Sequence, residues 1–74
     1  MRITKSDISQ AISNTPSDLD HTNIRVMRSV FLGFWTPKAA NWSWELHVIC
    51  HEGNPLVVAS RFGYIVAEGS EVAI

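Results

Sequence analysis

Ten residues, Trp42 to His51 (WSWELHVICH), constrain the fold of this chain more than any other stretch. Even positions carry Trp42, Trp44, Leu46, Val48 and Cys50, and odd positions carry Ser43, Glu45, His47, Ile49 and His51. Side chains alternate sides along a strand, so this pattern is that of a strand with one buried face. Wound as a helix, the same residues would scatter apolar groups all round. The strand reading makes Cys50 a small core hydrophobe and puts His47 and His51 on the polar face. All three tryptophans fall between residues 35 and 44. Trp42 and Trp44 share the apolar face with Leu46 and are read as packing. Trp35 ends the preceding strand at the mouth of the TPKAAN loop.

The flanking segments complete a sheet. EGNP, residues 52–55, is a turn by composition. LVVASRFGYIVAE, residues 56–68, is rich in β-branched and aromatic residues and reads as a strand with Gly63 as a bulge. A helix capped by Asn54-Pro55 and closed by Gly69 is its rival, disfavoured by the β-branched residues and the central glycine. NIRVMRSVFLGFW, residues 23–35, is read as a strand, because Gly33 and the valines weigh against a helix striped by Ile24, Met27, Phe31, Phe34 and Trp35. SEVAI, residues 70–74, adds an edge strand. At the other end, Thr4 and Asp7 have capping-box spacing, and Ile3 and Ile8 stand where a hydrophobic staple places them. A short amphipathic helix over 5–14 follows, ended by Thr15-Pro16. Pro16 can open one further turn. Residues 1–74 are thus expected to form a single small α+β domain, a short N-terminal helix followed by a three- to four-stranded antiparallel β-meander.

Size and patterning together predict self-association. A 74-residue chain buries only about 60–65 % of its unfolded surface. Cys50 is its sole cysteine, so no disulfide within the chain supplements the core. Segments 23–35 and 56–68 carry apolar groups on both sides: Met27, Phe31 and Trp35 against Ile24, Val30 and Leu32, then Val57, Ala59 and Ile65 against Leu56, Val58 and Phe62. A ten-residue helix, about 15 Å long, shelters part of one face. The remainder is expected to meet a second copy around a two-fold axis, making a homodimer. The longest apolar run, VFLGFW, is far short of the ~20 residues needed to cross a bilayer, and MRITKSDISQ lacks the apolar core of a secretory signal. A cytoplasmic protein without a membrane partner is the expectation.

Little in the chain announces chemistry. Net charge is −1, but no acid falls between Asp20 and Glu45, where Arg25, Arg28 and Lys38 lie. HVICHE, residues 47–52, holds four potential metal ligands, yet on a strand His47 and His51 stand about 13 Å apart, so no metal is expected. Nor is a cofactor, since the glycines form no phosphate-cradling motif. Cys50 and His51 point to opposite sides, and no Ser/His/Asp set is evident as a motif. The chain is expected to be a non-enzymatic interaction protein (an inhibitor, adaptor or accessory factor) acting as a homodimer through an apolar-aromatic sheet face. Trp35, Lys38, Arg28 and Arg61 are its candidate partner-binding residues, an aromatic anchor joined to cations. Two alternatives stand beside it. One is a nucleic-acid-binding accessory protein using Arg25, Arg28 and Lys38. The other is a small-molecule-binding domain with a tryptophan-lined pocket between helix and sheet or at the dimer seam.

Overall fold

The computed structural model describes residues 2–67. Helix α1 spans Lys5–Asn14, the range predicted from sequence. Its capping box is formed: the Thr4 backbone N–H donates to Asp7 Oδ2 at 2.9 Å, and the Asp7 N–H donates to Thr4 Oγ1 at 3.2 Å. Ile8, Ala11 and Ile12 are its buried stripe. Thr15 closes the helix, its hydroxyl donating to the Ala11 carbonyl at 2.6 Å. Two short 3-10 turns follow, Ser17–Leu19 and Ile24–Val26. Pro16 flanks the first as its N-cap.

Four strands then form one antiparallel sheet in the order β1-β2-β3-β4: β1 Ser29–Trp35, β2 Trp44–His51, β3 Asn54–Arg61 and β4 Tyr64–Val66. The fold is therefore the expected α+β meander. Its register explains the two-sided apolar pattern. Leu46 faces Ala59 and Val48 faces Val57 on one side, while His47 faces Val58 and Ile49 faces Leu56 on the other. The first side carries Trp44, Leu46 and Ala59 beneath Ile3 and the helix residues Ile8, Ala11 and Ile12. The second carries Ile49, Val58 and Ile65 beneath Leu19 and Ile24.

The structure departs from several of the sequence expectations. Residues 23–35 are not one strand: the backbone turns through 3-10 geometry at Ile24–Val26, and β1 begins only at Ser29. The early half of that segment is a lid, and Leu19 and Ile24 cover the second face that was expected to need another chain. Residues 56–68 are likewise not one strand. Phe62 and Gly63, with φ of 55° and 84°, turn the chain between β3 and β4. Two consecutive positive φ values suit the right-handed twist of a two-residue hairpin, so Gly63 is a turn residue and not a bulge. Glu52 and Gly53 repeat the device, with φ of 51° and 81°, so the 52–55 turn is shorter than expected and Asn54 and Pro55 belong to β3. The bulge lies instead in β1, between Phe31 and Gly33. Gly33 has φ of 154°, and a Cβ there would stand 3.0 Å from Ile3 Cδ1.

Strand β2 starts at Trp44, two residues later than expected, and its inside–outside pattern is not the simple one. Ile49 is buried on the supposed polar face, His47 is buried too, and Cys50 is exposed. Both faces of the sheet have covers, but each cover reaches only part of its face. Cys50 lies beyond the reach of α1, so period-two alternation assigned it a burial that the short helix does not supply. Residues 70–74, expected as an edge strand, lie outside the described residues.

The two sheet edges differ. Along β4, the Ile65 N–H donates to the Thr22 carbonyl at 2.8 Å and the His21 N–H donates to the Ile65 carbonyl at 2.9 Å. The Ile24 N–H donates to the Gly63 carbonyl at 2.8 Å, and Asp20 Oδ1 accepts from the Ala67 N–H at 3.0 Å. Along β1, no backbone hydrogen bond reaches the outer side among the described residues.

Candidate functional site

The open edge is also the most apolar exposed element. Strand β1 reads SVFLGFW and contains no charged residue and no proline. Val30 and Phe34 are each 65 % exposed and Phe31 46 %. By register Val30 lies opposite Val48 on the helix side, whereas Phe31 lies opposite His47 and Phe34 opposite Glu45 on the other. The strand is thus apolar on both faces, as an internal strand would be. The Phe31 and Phe34 rings lie 4.6 Å apart between centroids, tilted by 59°. On the helix side the patch continues into a shallow hollow whose lining includes Val30, Val48, Cys50 and Pro55 together with Arg28.

Behind the two phenylalanines a polar group is assembled. Glu45 and His47 are two residues apart in β2 and so share a face. Phe31 stands opposite His47, which makes Ser29, two residues earlier in β1, a diagonal neighbour of the imidazole. Ser29 Oγ lies 3.4 Å from His47 Nδ1, and Glu45 Oε1 lies 3.0 Å from His47 Nε2. An ionised Glu45 can only accept, so it fixes the proton of a neutral ring on Nε2. That leaves Nδ1 as an acceptor toward the Ser29 hydroxyl. The Phe31 ring covers the imidazole at 5.3 Å, and the His47 side chain is only 8 % exposed.

These residues open into a cleft of ≈ 670 Å³ whose lining includes Arg25, Arg28, Ser29, Glu45, His47 and Phe62. The 3-10 turn Ile24–Val26 brings Arg25 there, and Arg28 follows just before β1. Asn23 caps it, its Oδ1 accepting from the Arg25 N–H at 3.0 Å. Neither arginine makes an ion pair among the described residues.

The four candidate partner-binding residues do not gather at one place. Trp35 pairs with Trp44 in register and is half-buried against the helix-side core. Arg61 lies 3.7 Å over the Trp42 ring and 5.0 Å from that of Phe62. Trp42 meets Trp44 edge to face at 5.3 Å. Lys38 is exposed in the β1–β2 loop, where it lines a hollow with Pro37 and Trp42. Arg28 belongs to the cleft with Arg25, apart from that hollow. The fold therefore unites Arg25 with Arg28 but leaves Lys38 elsewhere. The hollow between helix and sheet is lined by Ile3, Ala11, Leu46 and Val57 among others, and by no tryptophan.

Sequence reasoning missed Ser29, His47 and Glu45 as a set. The Glu-x-His spacing on a strand was a usable signal for half of it. Ser29 could not be found without the register of β1 on β2. As for metals, no group of three His, Cys, Asp or Glu side chains converges among the described residues. His51 points to Asp18 at 3.9 Å rather than joining His47. No helix among the described residues is long and apolar enough to cross a membrane. No family model, curated protein or solved structure matches this chain.

Proposed function

We propose that this chain is an interaction protein that works as a homodimer, joined through β1. The observation that carries the reading is the state of that strand: its outer edge is unpaired among the described residues and its exposed side chains are apolar on both faces. Edge strands in soluble proteins are ordinarily guarded by lysine, proline or inward-pointing charge. β1 has none of these and only the bulge at Gly33 bends it. A second copy is the natural occupant, because an antiparallel pairing of β1 with itself about a two-fold axis satisfies both edges with one surface. It also buries Val30, Phe31 and Phe34 of each copy. Where such a dimer contacts a further protein, the tryptophan end, with Trp35, Arg61 and Lys38, offers an aromatic and cationic rim.

Sedimentation equilibrium tests the reading. At micromolar concentration the expected mass is twice the 8.3 kDa of one chain, and Val30→Lys with Phe34→Lys returns it to the single-chain value. A wild-type chain that stays at 8.3 kDa overturns it.

One further observation favours a different reading. Arg25 and Arg28 share a cleft with the exposed Phe62 ring, a pairing of cations and an aromatic that suits a single-stranded nucleic acid. Titration of labelled single-stranded DNA and RNA at low salt separates the two, and a flat titration ends this second reading.

A further inference from the structure

We propose that Ser29, His47 and Glu45 form a nucleophilic relay that transfers acyl groups from carboxylic esters whose acyl part carries a carboxylate. This departs from the sequence expectation of a non-enzymatic chain; it does not rest on the pairing through β1, although Ser29 is the first residue of that strand. The geometry that points to it is the continuous hydrogen-bonded chain from Ser29 Oγ through both imidazole nitrogens to Glu45 Oε1, 3.4 and 3.0 Å long at its two steps. Such a chain, a hydroxyl held by a base whose far side is held by a carboxylate, defines activated serine nucleophiles on unrelated folds. Here the imidazole is turned end for end relative to the familiar arrangement, with Nδ1 toward the serine. Either ring nitrogen accepts a proton equally well once the carboxylate fixes the other, so the turn leaves the chemistry intact.

Each residue has a stated task. Ser29 is exposed at the mouth of the cleft. Its Oγ attacks the ester carbonyl carbon as its proton passes to Nδ1. The tetrahedral intermediate then collapses, the bond to the leaving alcohol oxygen breaks, and Nδ1 returns the proton to that oxygen. Water repeats the sequence on the acyl-serine, releasing the carboxylic acid and restoring Ser29. Glu45 is a positioning residue that holds the ring and steadies the imidazolium. Phe31, 5.3 Å from the imidazole, keeps one side of it from water. Arg25 and Arg28 line the same cleft without ion-pair partners among the described residues. Unpaired guanidinium groups beside a nucleophile select an anionic substrate, since they bind carboxylates through paired N–H donors.

A fluorophosphonate probe, which reacts covalently with activated serines, gives the test. On the wild-type chain the expected result is one adduct, mapped to Ser29 by peptide mass and absent in Ser29→Ala. His47→Gln should slow labelling by about 100-fold or more, the usual share of a general base. Circular dichroism confirms that each variant is folded. If His47→Gln is not, Glu45→Gln carries the same question. Glu45→Gln should slow labelling and Glu45→Asp should restore part of the rate, whereas a merely structural Glu45 would leave the rate per folded molecule unchanged in both. Turnover of 4-nitrophenyl hemisuccinate against 4-nitrophenyl acetate reads the arginines: the anionic ester should be preferred, and Arg25→Gln with Arg28→Gln should remove the preference. No adduct, an adduct elsewhere, or labelling unchanged in His47→Gln overturns the relay. Equal turnover of the two esters overturns the assignment of substrate.

Discussion

Strand β4 ends the sheet with its backbone groups bonded to residues 21–24 of the same chain, while β1 ends it with an outer side that no backbone hydrogen bond among the described residues reaches. The difference begins in sequence. The segment before β1 breaks into 3-10 turns at Ser17–Leu19 and Ile24–Val26 and folds back over the second sheet face, carrying Leu19 and Ile24 into contact with Ile49, Val58 and Ile65. The same excursion closes the β4 edge. The β1–β2 loop makes no such return across its own strand. One edge is thus finished by local chain and the other is left open and apolar.

Substitutions break or sharpen this contrast. The largest effect is expected at the closed edge. Ile65→Ala removes a fully buried side chain from beneath the lid, and denaturant unfolding should show a loss of about 2–5 kcal/mol. Asn23→Ala removes the cap of the second 3-10 turn. It should cost about 0.5–2 kcal/mol and speed exchange of the Ile65 amide. Phe34→Lys, at the open edge, should change the stability of the separated chain by no more than about 0.5 kcal/mol. It should nevertheless weaken association sharply, seen as a lower sedimentation mass at equal concentration. If instead Phe34→Lys destabilises the chain as much as Ile65→Ala does, the two edges are not different in kind.

What the sequence revealed and what it hid follow from range. The helix was legible because Thr4, Asp7, Ile8, Ala11 and Ile12 act within one or two turns of one another. The meander was legible in part, because the turn at 52–55 punctuates it and β-branched residues fill it, but the hairpin at Phe62-Gly63 was hidden because Gly63 reads equally well as a bulge within one strand. The lid was not, because Ile24 and Val26 have the composition of a strand and only the packing of Ile24 with Ile65 and the bridge of Asn23 to Tyr64 decide otherwise. Cys50 was misplaced for the opposite reason: alternation tells which face a residue is on, but not whether anything covers that part of the face. Of the candidate sites, the apolar strand could be seen in advance. The meeting of Ser29 with His47 depends on register across eighteen positions of sequence and could not.

Amide hydrogen exchange across a range of protein concentrations tests the central claim most directly. The Ile65 amide, bonded to Thr22, should be protected at every concentration. The β1 amides not bonded to β2 should exchange freely in dilute solution and become protected as concentration rises, in step with the sedimentation mass. Exchange at β1 that stays fast while the mass doubles would place the contact elsewhere and contradict it.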